Sequence, residues 1–306
     1  MLSSIPVECP TYLLEKAKPL APVATAIVNA GAKLPLESAR MAAEQGLIEP
    51  VLVGDTVAIK AGADALGWDI TDVRIVAADG EVEAANAAVA LARANEVSSL
   101  MKGNLHTDHL LRAVINKETG LRTERRLSHI FHMTLPGSDE AICITDAAIN
   151  VLPSVDIKLD ILRNAVALLH ALGTAVPKVA LLSATEVPSK AVPSSMDASI
   201  IAQEVANGAV PGALVEGPLA FDNAISKEAA KLKGIDSSVA GNVDILLVPN
   251  IEAGNFLFKQ MVYLMSAAAA GIVMGAKVPI VLTSRADPVS ARLAATALAS
   301  IYASTQ

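Results

Sequence analysis

The segment from Gly241 to Ser290 constrains this chain most. It reads Asp244-Ile-Leu-Leu-Val-Pro-Asn-Ile-Glu-Ala-Gly-Asn255, then a long run of small residues, then Pro279-Ile-Val-Leu-Thr-Ser-Arg-Ala-Asp287-Pro288. Twice, a short apolar run stops at a polar loop that opens a helix. Runs of β-branched and leucine residues without alternation suit strands covered on both faces, as in a parallel sheet. Ligands of such sheets sit outside the carboxyl ends of the strands. Glu252, Gly254, Asn255, Ser284, Arg285 and Asp287 are therefore expected where chemistry is done. Asn255 is expected to cap a helix beginning at Phe256, and Asp287 one whose first turn holds Pro288.

The 306 residues favour two domains sharing a cleft over one core. Alanine dominates the apolar fraction and aromatics make up only 3%, which suits small-residue helices packed closely on sheets. A net charge of -7 argues against a nucleic-acid partner. Cys9 and Cys143 stand in no metal or redox spacing, which suits a reducing cytosol. The N-terminus lacks a basic region followed by an apolar one, so no signal peptide is expected and the location is cytoplasmic. Met261 to Ala276 is the most membrane-like stretch, but it falls short of the ~20 residues a span needs. It is expected to form a buried helix at a subunit contact, with no membrane partner.

Upstream, helix and strand signals alternate. Leu36 to Gln45 has helical spacing that Gly46 can end, and Pro50 to Gly54 and Arg74 to Ala77 read as strands. Glu81 to Asn95 is an alanine-rich helix, and Ser98 to Met101 leads into Lys102-Gly103-Asn104. This alternation indicates an α/β domain with a mainly parallel sheet. The loop Lys102-Gly-Asn-Leu-His-Thr-Asp-His-Leu-Leu-Arg112 sets a strand end, a glycine turn and a helix start in sequence. Helix N-termini receive anions readily. Between Lys102 and Arg126, six cations (Lys102, Arg112, Lys117, Arg122, Arg125, Arg126) face three acids (Asp108, Glu118, Glu124). Lys117, Arg122 and Glu124 read as a solvated face, whereas Lys102 and Arg112 read as anion ligands.

Ser128 to Met133 and Ala141 to Asp146 read as strands joined at Pro136-Gly137-Ser138, a turn that demands antiparallel pairing and a mixed sheet. The domain change is placed near this turn. Beyond it follow a helix (Lys158 to Leu172), a strand (Lys178 to Leu182), a helix from about Asp197 and a strand from Ala213.

No G-x-G-x-x-G, no G-x-x-x-x-G-K-[ST] and no G-x-S-x-G occurs, so a dinucleotide fingerprint, a P-loop and an esterase elbow are unsupported. His106 with His109, and His129 with His132, are each three apart, but neither pair has a third ligand at familiar spacing, so no metal is expected. His106 reads equally as a substrate hydrogen-bonder and a helix-start residue.

Several segments together resemble the phosphate acetyl/butyryltransferase family. They are Lys102-Gly103 with Thr107 to Arg112, Ser128-His129, Gly217-Pro-Leu with Asp222, Ser238-Val-Ala-Gly241, Val248-Pro-Asn with Ala253-Gly-Asn255 and Lys259, and Ser284-Arg285. The likeness runs from about Ala21 to Ala303 and looks closest to the module that is elsewhere fused behind an enoyl-CoA hydratase domain. It implies a two-domain α/β fold of the isocitrate/isopropylmalate dehydrogenase type, with residues 1–135 plus 276–306 forming one domain and 136–275 the inserted one. It implies a homodimer and the reversible reaction of a short-chain acyl-CoA, acetyl above all, with phosphate to give acyl phosphate and coenzyme A. Ser284, Arg285 and Arg112 match the family's site residues, and no metal or bound cofactor is implied, coenzyme A being a substrate. Lys102, Gly103, Asn104, His106, Thr107, Ser128, Asp222, Gly254, Asn255 and Lys259 complete the expected substrate-binding set.

That chemistry suits the residues. A guanidinium grips a phosphate dianion with two parallel hydrogen bonds. Hydroxyls at Ser128 or Ser284 can hold a carbonyl oxyanion. The family's proposed base is an aspartate six residues beyond the arginine, where this chain has Ala291, which leaves Asp287 as the nearby acid. Two other functions compete. A metal-dependent decarboxylating dehydrogenase would need clustered acids, whereas Asp146, Asp222, Asp244 and Asp287 are scattered. A non-catalytic sensor of coenzyme A or acyl phosphate would not need Ser284, Arg285 and Arg112 intact.

Overall fold

Apolar runs become strands and alanine-rich segments become the helices between them. The computed structural model describes residues 2–283 and 287–306. Two units form: Val7–Arg125 with Ala270–Gln306, and Arg126–Ala269 with the N-terminal residues through Pro6.

In the first unit the chain runs through α1 (Thr11–Ala17), β1 (Val23–Val28), α2 (Lys33–Glu44), β2 (Ile48–Gly54), α3 (Thr56–Ala65), β3 (Arg74–Ala77), α4 (Gly80–Arg93), β4 (Ser99–Lys102) and α5 (Thr107–Val114). β1 lies parallel to β2 on one side and β4 on the other, and β3 continues beyond β2. All four residues of β4 are buried, the polar Ser99 and Lys102 as well as the apolar Leu100 and Met101 between them. Local signals set the helix ends. Gly46, at φ 70°, follows the end of α2. Asp55 accepts the N–H groups of Val57 and Ala58 at the start of α3, a cap worth ~1 kcal/mol.

The second unit contains β5 (Ser128–Thr134), β6 (Ala141–Thr145), α6 (Val155–Ala171), β7 (Lys178–Leu182), α7 (Pro193–Ala206), β8 (Leu214–Leu219), α8 (Phe221–Ile225), α9 (Lys227–Leu232), β9 (Ile245–Leu247) and α10 (Ile251–Met265). β5 and β6 pair antiparallel, with Gly137 at φ 72° in the turn. β6, β9, β7 and β8 then follow side by side, all parallel. Phe131 of β5 stacks on Phe258 of α10, centroids 3.9 Å apart, within a core that includes Met133, Ile144, Leu246 and Val248.

The chain returns through β10 (Ala268–Met274), β11 (Ile280–Val281) and α11 (Val289–Ala303). β11 pairs antiparallel with β10 and parallel with β4. The protein is thus α/β, with mixed sheets flanked by helices, as expected. No helix among the described residues is long and apolar enough to cross a membrane.

Three local expectations are corrected. Met261 to Ala276 is not one helix: α10 stops at Met265, Ser266 turns through the left-handed region at φ 52°, and Ala268–Met274 is a fully buried strand. Alanine favours helix in isolation, but partner strands override that preference. α10 begins at Ile251 and is capped by Asn250, whose side chain accepts the Ala253 N–H at 3.0 Å, so Asn255 lies inside the helix. The cap position of α11 falls on Pro288, which makes no side-chain cap bond, and not on Asp287.

Candidate active site

The loop between β4 and α5 is built by close backbone approach. The N–H groups of Gly103 and Asn104 donate to the carbonyls of Val28 and Asn29 at 2.9 and 3.0 Å. Asn29 takes a positive φ of 56° and its side-chain amide donates to the Asn104 carbonyl at 2.5 Å. A Cβ on Gly103 would stand 2.3 Å from the Val28 carbonyl oxygen, so glycine is needed here for room. Lys102 is buried at the end of β4, Asn104 is exposed, and Thr107 is the first residue of α5.

His106 occupies the cap position of α5 without capping it. Its backbone N–H donates to Glu81 at 2.7 Å and its Nδ1 lies 2.9 Å from the same carboxylate oxygen. His109 Nδ1 reaches that oxygen at 2.8 Å. Accepting the His106 backbone N–H, with further hydrogen bonds from the two rings, holds the Glu81 carboxyl down at about 2. Arg112, one turn on, is exposed and lines a pocket of about 270 Å³ with Val82, Asn86, His109, Ala113 and Asn116. This pocket lies between α4 and the later part of α5, and Arg112 is the cation that lines it.

Ser284 and Arg285 lie outside the described residues. Asp287, just before α11, faces Arg292, a buried arginine whose pKa burial lowers and the Asp287 charge raises. Arg292 Nε also donates to the Asp287 carbonyl at 3.4 Å. Ala291, in the position where the base was sought, is buried.

In the other unit, Ser128 is fully buried, and its hydroxyl accepts from Asn164 Nδ2 at 2.8 Å. Gly254 is buried against Ala147, whose Cβ would be 2.8 Å from an added Cβ. The Asn255 side chain donates to the Ala147 carbonyl at 3.4 Å. Lys259 is exposed on α10. Asp222 is exposed on α8, 3.4 Å from Lys233, which also binds Glu186 at 2.8 Å. Neither cysteine is a thiolate at neutral pH: burial pushes Cys9 to about 12 and Cys143 higher still. Burial likewise lowers His132 to about 4, so it stays neutral.

Sequence reasoning missed Asn29, Glu81, Asn164 and Arg292. Asn29 carried a usable signal, an asparagine straight after an apolar run and two residues before Gly31. Nothing in the spacing linked Glu81 to histidines 25 and 28 residues downstream.

Residues 81–300 match the phosphate acetyl/butaryl transferase family. A phosphate acetyltransferase of Rickettsia felis is 47% identical over 96% of this chain and 85% of its own length. A phosphate butyryltransferase of Clostridium acetobutylicum is 40% identical over 88% of this chain and 89% of its own. A crystal structure of a branched-chain phosphotransacylase from Enterococcus faecalis V583 matches with a TM-score of 0.79 at 29% identity, covering 92% of this chain and 99% of that one. With family identity and fold both spanning most of its length, the chain belongs to the phosphate acetyl/butyryl transferase family.

Proposed function

We propose that this protein is a phosphate acyltransferase that moves a short acyl group, acetyl foremost, reversibly between coenzyme A and inorganic phosphate. The observation that carries this is the 47% identity to a phosphate acetyltransferase over nearly the whole chain. The 40% identity to a butyryltransferase supports butyryl as the second substrate to try. One methylene changes discrimination by only ~1–3 kcal/mol, so the two activities are close neighbours.

In the direction of acyl-CoA synthesis, the coenzyme A thiol loses its proton and its sulfur attacks the acyl phosphate carbonyl. The carbon–sulfur bond forms, the carbon–oxygen bond to phosphorus breaks, and phosphate leaves. Arg285 grips the phosphate in a bidentate pair, Arg112 and Lys102 add positive charge, and Ser284 donates to the carbonyl oxygen. Gly103, Asn104, His106 and Thr107 form the turn that receives the phosphoryl end, while Asp222, Asn255 and Lys259 contact coenzyme A, with Ser128 and Gly254 supporting them. Asp287 takes the thiol proton, a role typically worth ~10²–10⁴ in rate. No metal or cofactor takes part in this transfer. We further propose a cytoplasmic homodimer, supported by the exposed Phe256, Tyr263, Leu264 and Met265 of α10, and kinship with the module fused to enoyl-CoA hydratase in bifunctional relatives.

The test is thiol release from acetyl-, propionyl- and butyryl-CoA with and without phosphate. Release that requires phosphate and is fastest with acetyl-CoA is the expected result. Release independent of phosphate, or none, would overturn the assignment. Asp287→Asn is expected to keep the melting temperature and lose at least about 100-fold in turnover. Unchanged turnover would leave Asp287 as the counter-ion of Arg292 alone.

A further inference from the structure

The first turns of α4 and α5 meet at three side chains that share one point. Glu81 Oε2 lies 2.9 Å from His106 Nδ1 and 2.8 Å from His109 Nδ1. One potential ligand atom from each of the three residues lies within 4.8 Å of the others. Two imidazoles and a carboxylate form the donor set that zinc-class ions prefer, with a fourth position open. Tetrahedral bonds of about 2.0–2.1 Å place ligand atoms roughly 3.3 Å apart. The two Glu81–histidine separations therefore need to open by only a few tenths of an ångström.

The protonation chemistry also fits. An ionised carboxylate only accepts hydrogen bonds, so both Nδ1 atoms carry the ring proton in the metal-free protein. On metal binding, that proton moves to Nε2 of the same ring and frees Nδ1 as a ligand. Helix N-termini repel cations, but Glu81, Glu83 and Asp108 all stand in these two first turns. The cluster is open to solvent, with His106 67% and Glu81 28% exposed, and His109 borders the pocket that gives the fourth position room.

We propose that Glu81, His106 and His109 bind one divalent transition-metal ion of the zinc class, tying the start of α5 to α4. The spacing of the histidines alone predicts no such site, because the fold supplies the third ligand from 25 residues upstream. His106 also belongs to the turn assigned to the phosphoryl end, so metal binding is measured directly, by a readout that does not depend on acyl transfer.

The experiment is equilibrium dialysis of the full chain, first stripped of metal, against Zn²⁺, with elemental analysis, and titration with Co²⁺ followed by its visible d–d absorption. The wild type is expected to take up one Zn²⁺ per chain, show the intense bands of a near-tetrahedral Co²⁺ site, and melt at higher temperature with Zn²⁺. Glu81→Gln and His109→Asn, each checked for an unchanged metal-free melting curve, are expected to weaken binding more than about 100-fold, since losing even an outer partner costs 10–100-fold. His106→Asn replaces either variant that fails to fold. No uptake by the wild type, or uptake unaffected by these substitutions, overturns the proposal.

Discussion

Two turns occupy equivalent positions, one after β4 and one after β9, and they use their polar groups in opposite ways. The β9–α10 turn spends its polar groups on itself. Asn250 caps the helix, Gly254 lets it press on Ala147, and the Asn255 amide points back to the Ala147 carbonyl. The β4–α5 turn leaves its helix start uncapped by its own side chain, with an exposed Asn104 and His106 and with Arg112 one turn above. Backbone contacts to Val28 and Asn29 hold it instead. A helix start not capped by its own side chain favours an anion, and here the Glu81 carboxylate of α4 already takes the His106 N–H. The carboxyl end of a parallel strand offers a position, and what the turn does with its own donors decides whether a ligand can use it.

The sharpest test of the anion-binding side is Arg285→Ala, after β11. If Arg285 grips the phosphate as proposed, its removal is expected to lower turnover about 10²–10³-fold and raise the KM for phosphate or acyl phosphate. Near-normal steady-state kinetics in the folded variant would remove Arg285 from the mechanism. Gly103→Ala comes next. Its Cβ would meet two carbonyl oxygens of β1 and its following residue at 2.3 and 2.7 Å, and backbone cannot swing aside. A loss of about 3 kcal/mol in urea unfolding is expected.

Gly254→Ala sets the other turn against this. Its new Cβ would meet the Ala147 Cβ at 2.8 Å, a Val248 methyl at 2.9 Å and the Ala147 Cα at 3.0 Å, overlaps milder than the 2.3 Å at Gly103, and alanine regains helix propensity. The expected loss is about 1–2 kcal/mol by the same measurement, and equal losses at both glycines would erase the distinction between the turns. Lys259→Ala is the mildest. An exposed cation contributes roughly 0.2–1 kcal/mol, so the KM for coenzyme A should rise only a few-fold with turnover unchanged. A collapse in turnover would instead move the chemistry toward α10.

Much of the architecture was legible because it is local. Lys178–Leu182 and Arg74–Ala77 are strands with the bounds their apolar runs suggested, and the tight turn at Gly137 does join antiparallel strands. Two of the failures depended on a partner elsewhere in the sequence, and the misplaced caps on a choice between near neighbours. Ala268–Met274 looks helical by composition and becomes a strand because it pairs with β11. The helix caps slipped because Asn250 and Asn255 offer the same chemistry, and only the course of the chain after β9 selects between them. The Glu81–histidine cluster was invisible for the same reason as that strand, its members standing on two helices that packing brings together.

The composition of β10 has a consequence for how the protein comes to be folded. A buried alanine methyl contributes about 0.8 kcal/mol, while fixing the backbone of a residue costs about 1–2 kcal/mol. Three successive alanines and a glycine therefore cannot hold this strand in place by their own burial. Its order is lent by the ladder beside it, where Ile272 and Val273 face Val281 and Ile280. The segment belongs to the completion of folding and not to its nucleus. Pulse-labelled amides of Ala268–Met274 should gain protection later than those of β1 and β2, and early protection there would show that small residues can seed a sheet.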